Sequence, residues 1–263
     1  ESPILFVKRL VGDIYLMRMH CPFIAETVLP GQFVNIKVND ELIPLLRKPF
    51  SVCRRSKDEG WIEVLWKIVG KGTEIMASYR SGETANILGP LGRSYTIPAD
   101  LEVASLVGGG LGVAPLPFLC EELLQANKTV EVFLGAGTVQ ELAFVDEFQQ
   151  MGIELFLATE DGSRGKKGLV TDILLERLKQ DSSSKRRHLF SCGPHGFLNS
   201  MINITSKLNI EGQLSIETMM GCGFGICVGC PVQVRVPKEG EKRYYLTCMD
   251  GPVFDAREIV LDD

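Results

Sequence analysis

Ser105-Leu-Val-Gly108-Gly-Gly-Leu-Gly112-Val-Ala-Pro115 closes an apolar run, Leu101–Val107, and opens a helix-length segment, Ala114–Gln125. A strand that passes through glycines into a helix is the first half of a parallel βαβ unit. The glycines at 108, 109, 110 and 112 would let a pyrophosphate approach backbone N–H groups at a helix N-terminus. The match to G-x-G-x-x-G is imperfect, because Val113 stands at the third glycine's position. The acid expected at the end of the next strand is also missing, since Glu131 lies near that strand's start. Taken alone, the loop reads equally well as a nucleotide cradle or as a tight structural turn.

The same rhythm continues downstream. Val130–Gly135, Ile153–Thr159, His188–Cys192 and Gln213–Glu217 are compact apolar runs, separated by helix-length segments at Val139–Gln150, Leu169–Lys179 and His195–Leu208. This alternation predicts an α/β domain with a doubly wound parallel sheet over residues 99–217. Cys192-Gly193-Pro194 ends another of its strands, on the carboxyl edge where open α/β sheets take ligands. Gly135-Ala-Gly137 and Glu160-Asp-Gly-Ser163 share that edge, and four converging strand ends favour the nucleotide reading. The polar stretch Asp181–Arg187 reads as a solvated turn.

Upstream, residues 1–98 are of a different kind. Ile4–Val11, Tyr15–Met19, Gln32–Val38, Phe50–Arg54, Trp61–Val69 and Thr84–Leu88 are short strand candidates, broken at turn residues such as Pro30-Gly31 and Asn39-Asp40. One helical piece, Thr73–Tyr79, interrupts them. The spacing predicts an antiparallel β-barrel, because closure removes exposed strand edges. Within it, Arg47-Lys-Pro49-Phe50-Ser51-Val52 puts a planar fork suited to phosphate just before a strand and a hydroxyl inside it. Gly72 and Thr73 precede the short helix and offer a second phosphate position. Each of these features also fits an ordinary structural role.

The chain has 8 cysteines, and four of them fall near its end in the order Cys222-x4-Cys227-x2-Cys230, with Cys248 after 17 further residues. C-x4-C-x2-C…C is the plant-type 2Fe–2S spacing. Gly221, Gly223, Gly225 and Gly229 let the backbone curl and turn N–H groups towards sulfur. Structural zinc favours paired C-x2-C knuckles, so the cluster reading stands above zinc or unliganded thiols. Residues 218–263 form a small cluster-binding tail. Cys21, Cys53 and Cys120 read as small buried residues. His20, His188 and His195 form no metal or triad pattern.

Composition narrows the classes further. In 263 residues, 28 Lys plus Arg against 33 Asp plus Glu give a net charge of −5, with no basic stripe, so nucleic-acid binding is not expected. The longest charge-free runs, Val103–Cys120 and Thr218–Val234, are rich in Gly and fall short of the roughly 20 apolar residues of a membrane helix. The first residues have no signal-peptide layout and no initiator Met, so a soluble, cytoplasmic protein lacking a few residues is expected.

In combination these motifs resemble the ferredoxin–NADP reductase superfamily, and within it the iron–sulfur electron-transfer subunits of class 1B dihydroorotate dehydrogenases. The resemblance spans essentially the whole chain. It implies FAD on the barrel, with Arg47 on the pyrophosphate, Ser51 beside the isoalloxazine N5, and Pro49, Phe50, Val52, Gly72 and Thr73 around it. It implies NAD(H) at Gly108–Gly112 and at Cys192, Gly193 and Pro194, and a 2Fe–2S cluster on Cys222, Cys227, Cys230 and Cys248. Phe50 departs from the tyrosine common in the wider superfamily, which removes a hydroxyl contact to the flavin. Having both Arg47 and four cysteines favours this reading over the small subunits of NADH-dependent ferredoxin–NADP oxidoreductases.

The function implied is electron transfer in pyrimidine biosynthesis between NAD(H), FAD, the cluster and an FMN-containing catalytic subunit, in a hetero-oligomer. No side chain need act as the catalyst, because the flavin carries the hydride. The alternative is a flavin and iron–sulfur subunit of another complex, ferredoxin-linked or bifurcating. NADH is expected over NADPH, because Gly135–Glu141 offers no Lys or Arg for a 2′-phosphate, although Arg164, Lys166 and Lys167 lie in a nearby loop.

Overall fold

The structure is a computed structural model that describes residues 1–236 and 243–261. The cluster-binding tail predicted over 218–263 therefore includes a few residues outside the described ones.

The first part of the chain is β1 (Ser2–Val11), β2 (Ile14–His20), α1 (Pro22–Thr27), β3 (Phe33–Lys37), β4 (Lys48–Ser56), β5 (Trp61–Lys67), α2 (Lys71–Ala77) and β6 (Thr84–Leu91). The strands close as β1-β2-β5-β4-β3-β6, the antiparallel barrel expected from the sequence. Inward positions alternate along each strand, as a pleated sheet requires. Met17, Met19, Val34, Ile36, Val52, Ile62 and Val64 are wholly buried inside. The reading missed α1, a single short helix that Pro22 starts and whose Ile24 and Ala25 plug the barrel.

The second part is β7 (Val103–Gly109), α3 (Leu116–Gln125), β8 (Thr129–Ala136), α4 (Val145–Gln150), β9 (Glu154–Thr159), β10 (Lys166–Lys167), α5 (Val170–Gln180), β11 (Arg187–Cys192), α6 (His195–Leu208) and β12 (Glu211–Ser215). These strands are parallel, in the order β10-β9-β8-β7-β11-β12. Two expectations fail here. Val139–Gln150 is not one helix but a 3₁₀ turn, Val139–Glu141, and the short α4. Leu142, Ala143 and Phe144 between them are buried in the core, and that burial overrides helical continuity. Nor is Asp181–Arg187 a wholly solvated turn. The Arg187 side chain, 8% exposed, is held between Asp181, Ser105 and the carboxylate of Glu131, which Arg177 also grips. A carboxylate as buried as Glu131 requires such partners.

The tail adds β13 (Pro231–Val234), β14 (Arg243–Leu246), β15 (Val253–Asp255) and β16 (Ile259–Val260). β14, β13 and β16 form their own small sheet. β15 instead pairs antiparallel with β12, extending the large sheet by one strand.

The barrel and the sheet meet along β4 and α3. Arg54 and Arg55 reach Glu121 and Glu122 at 2.8 and 2.9 Å, and Phe118 of α3 packs into the barrel core. The carboxyl edge of the sheet thus faces the strand that carries the Arg47–Val52 motif.

Candidate functional site

A cavity of about 640 Å³ lies along the carboxyl edge of the parallel sheet. Gly109, Gly110, Gly112, Gly135, Pro194 and Gly196 are among its walls. A Cβ added at Gly110 or Gly196 would meet no atom within 4 Å, so bare backbone faces open space there. α6 has no side-chain cap at its start, which leaves its first N–H groups available to an anion. Such a surface fits a pyrophosphate. The other predicted residues stand behind it. Gly108 packs on Leu116, and Cys192 and Gly193 are buried in the wall. Gly112 serves both purposes, because a Cβ there would lie 2.0 Å from the Cys192 carbonyl oxygen.

A second cavity of about 250 Å³ lies between barrel and sheet. Pro49, Phe50, Ser51 and Thr73 line it from the barrel, and Trp66, which the sequence reading passed over, forms part of the same wall. Flat apolar walls with one hydroxyl suit a planar, partly polar ring system. Three predicted residues do not line this cavity. Val52 points into the barrel core, and Gly72 is buried under Lys48 and Pro44. Arg47 donates to the Asn86 main-chain oxygen at 2.9 Å and to its Oδ1 at 2.6 Å. The Thr73 hydroxyl accepts from the N–H groups of Val69 and Gly70, so it shapes the turn before α2.

The two cavities adjoin. Lys67, Leu111 and Glu217 line both. Glu217 was read only as the start of the cluster-binding segment, yet its Oε1 lies 3.9 Å from Cys192 Sγ at the junction. Its carboxyl is crowded by protein but open to solvent through the cavities, and the crowding raises its pKa above the ordinary value. Glu141 follows β8 in its 3₁₀ turn, lines the nucleotide cavity, and pairs with Lys67 across from the barrel at 2.7 Å. It places an acid on the nucleotide-cavity side of β8, beyond the strand end where the sequence showed none.

The four tail cysteines come together as two pairs. Cys222 and Cys227 each receive the other's backbone N–H on sulfur at 3.4 Å, and Phe224 N–H adds a bond to Cys222 Sγ at 3.5 Å. These donors hold the Cys222 thiol near a pKa of about 6, towards thiolate. Cys230 and Cys248 form the other pair, with the Cys248 N–H on Cys230 Sγ at 3.5 Å, and burial pushes the Cys248 thiol up to about 12. None is in a disulfide. Among the described residues no three ligand side chains converge on one ion's position. Four thiols in two pairs fit the four thiolate ligands that a 2Fe–2S cluster would need. The buried pair packs with Phe33 and Met220, which also line the second cavity. The other pair reaches the surface at Cys227. The three sites therefore form a sequence: sheet edge, barrel slot, thiol pairs.

Comparison with known proteins matches residues 217–260 to the iron–sulfur cluster binding domain of dihydroorotate dehydrogenase B, and residues 106–203 to the oxidoreductase NAD-binding domain. The chain is 34% identical over 260 residues to the dihydroorotate dehydrogenase B (NAD(+)) electron transfer subunit of Desulforamulus reducens, covering 99% of this chain and 97% of the relative. It is 37% identical over 256 residues to the one of Geobacillus sp. (strain WCH70), covering 97% and 95%. Among solved structures, an NADH-dependent reduced ferredoxin–NADP oxidoreductase, described for flavin-based electron bifurcation, superposes with a TM-score of 0.85. That match is at 28% identity and covers 99% of this chain and 90% of the other. A ferredoxin–NADP⁺ reductase from Neisseria gonorrhoeae, solved with FAD and NADP, shares the fold with a TM-score of 0.64 at 16% identity, over 80% of this chain and 90% of that one.

Proposed function

The chain belongs to the family of dihydroorotate dehydrogenase B electron-transfer subunits, and on that premise we propose the following roles for its residues and its partner. The protein is an NAD-dependent oxidoreductase subunit that uses FAD and a 2Fe–2S cluster. When bound, FAD exchanges a hydride with NAD(H) and exchanges single electrons with the cluster, joining two-electron to one-electron chemistry. The adjoining cavities that lead to the thiol pairs carry this reading.

The bare backbone at Gly110 and Gly196 and the start of α6 hold the pyrophosphate of NAD(H). Glu141 and Glu160 line the same cavity and disfavour a 2′-phosphate, whereas Arg164, Lys166 and Lys167 are not among its walls. Phe50, Trp66 and Ser51 hold the flavin ring, Ser51 by a hydrogen bond at its N5 edge. Arg47 serves the flavin pyrophosphate by exchanging its Asn86 contacts for phosphate oxygens. Glu217 stands where the two cavities join, and burial there raises its pKa, which favours the neutral carboxyl. Cys222, Cys227, Cys230 and Cys248 bind the cluster.

The partner is an FMN-containing catalytic subunit that interconverts dihydroorotate and orotate. It docks over the exposed Cys227 edge, where Met219, Ile226 and Val228 present apolar side chains to solvent. Among the described residues no helix is long and apolar enough to cross a membrane, and we place the complex in the cytoplasm.

The test is anaerobic mixing of the reconstituted chain with NADH. Flavin bleaching followed by cluster reduction is expected, with no oxidation of dihydroorotate until the catalytic partner is added. Dihydroorotate turnover by this chain alone, or a purified protein that takes up no iron and sulfide, overturns the reading. Co-purification with a different flavoprotein would instead indicate a ferredoxin-linked or bifurcating complex.

A further inference from the structure

Asn35 lies on β3 inside the wall of the barrel, 1% exposed, with its backbone paired to Pro49 of the flavin strand. Its Nδ2 donates a 2.7 Å hydrogen bond to the main-chain carbonyl of Cys222, 187 residues away. Its own main-chain carbonyl accepts from Arg47 Nη1 at 3.4 Å. The side-chain Oδ1 is buried and has no partner.

Three features argue that this is more than a buried amide satisfying a turn. Reversing the amide would set Oδ1 against the Cys222 oxygen, so the unpartnered acceptor is the cost of aiming the donor at the loop. Gly223 is packed so closely on Asn35 that a Cβ there would fall 2.3 Å from Nδ2. Finally, the segment from Gly221 to Gly229 contains four glycines and no regular secondary structure, so it needs an outside constraint. Among the described residues, the Asn35 amide is the one side-chain hydrogen bond that reaches this segment from the barrel.

We propose that Asn35 is a positioning residue: it pins the first cysteine loop of the 2Fe–2S site to the strand pair that carries the flavin motif, and so sets the separation and orientation of cluster and flavin. The inference rests on the cluster assignment made above. A donor on the carbonyl of a ligand cysteine also draws charge away from that loop, which alters the electronic environment of the cluster.

The experiment uses the full chain, reconstituted anaerobically with FAD, iron and sulfide, in wild-type, Asn35→Asp and Asn35→Leu forms. Asn35→Asp replaces the donor by an oxygen facing the carbonyl, and Asn35→Leu keeps the volume without the donor. FAD and iron per chain, the electron paramagnetic resonance spectrum of the reduced cluster, and the rates of flavin and cluster reduction by NADH are measured. We expect FAD retained, shifted resonance lines in both variants, and cluster reduction slowed about tenfold relative to flavin reduction. Wild-type spectra and an unchanged rate ratio overturn the proposal, as does parallel loss of FAD and iron, which would make Asn35 a barrel-packing residue only. If the wild-type chain itself takes up no cluster, the functional reading fails first.

Discussion

On the proposed reading, the two faces of the central site recognise their ligands by opposite means. The sheet edge uses missing side chains: at Gly110 and Gly196 the backbone itself is the surface. The barrel face uses side chains fixed by strand register: Phe50 and Ser51 on β4, Trp66 on β5. A pyrophosphate needs several N–H donors at close range, which only uncovered backbone supplies. A flat ring needs broad apolar contact and few polar points, which aromatic side chains supply. Substitutions on the first face should therefore act by adding atoms, and those on the second by removing them.

The largest effect is expected at Gly112. Gly112→Ala puts a methyl against the Cys192 carbonyl, a backbone atom that cannot swing aside, and should abolish flavin reduction by NADH. Gly110→Ala, with open space beyond it but a left-handed φ of +56°, should weaken NADH binding about tenfold and leave flavin content intact. Stopped-flow titration with NADH separates the two, and equal losses would break the distinction between wall and surface.

On the barrel face, Trp66→Ala removes a ring that is 2% exposed and hydrogen-bonded to the Thr73 carbonyl. The loss should be about 3–5 kcal/mol of stability, as for other buried aromatic truncations. Thermal unfolding should show it together with release of FAD; full flavin retention would move the ring site elsewhere.

At the junction, Glu217 tests whether a charge matters where the faces meet. Its raised pKa means that it keeps a proton at pH values where an ordinary carboxyl is already ionised. Any benefit from the neutral form is complete at low pH and fades as pH rises through the raised value. Wild-type flavin reduction should fall over that window, while Glu217→Gln, permanently neutral, should give a flat profile. Identical profiles would remove Glu217 from the chemistry.

The smallest effect is expected for Lys67→Met, which breaks the Lys67–Glu141 pair. Both partners are more than a third exposed, so stability should change by less than about 1 kcal/mol. Freed from its counter-ion, Glu141 should raise the Michaelis constant for NADPH more than that for NADH. An NADPH constant that is unchanged or lowered would mean that the Glu141 charge does not face the 2′-phosphate.

What could be read from sequence follows the same division. Glycine loops and cysteine spacing are local, because a conformational or ligating need falls on consecutive residues. The barrel strands were legible too, since alternation and turn residues are local signals. Trp66 was not singled out, because a tryptophan in an apolar strand looks the same whether it faces a core or a cofactor. Glu141 was invisible because the sequence suggested a continuous helix, and only the burial of Leu142–Phe144 reveals the turn that delivers it. Arg187 was taken for a solvated residue because its partner Glu131 comes from a different strand. Asn35 could not be found at all: its meaning lies in a carbonyl far along the chain.

The placement of β15 bears on how such a protein could be rebuilt. Because Val253–Asp255 is stitched into the nucleotide-binding sheet beside β12, the iron-binding end of the chain is woven into its neighbour rather than hung from it. Cutting it away would strip the strand that carries Gln213–Ser215 of one of its two neighbours, two residues before Glu217. Engineers seeking to graft a different redox centre onto this scaffold must keep that stitch, or the hydride-accepting pocket will loosen along with the module they replace.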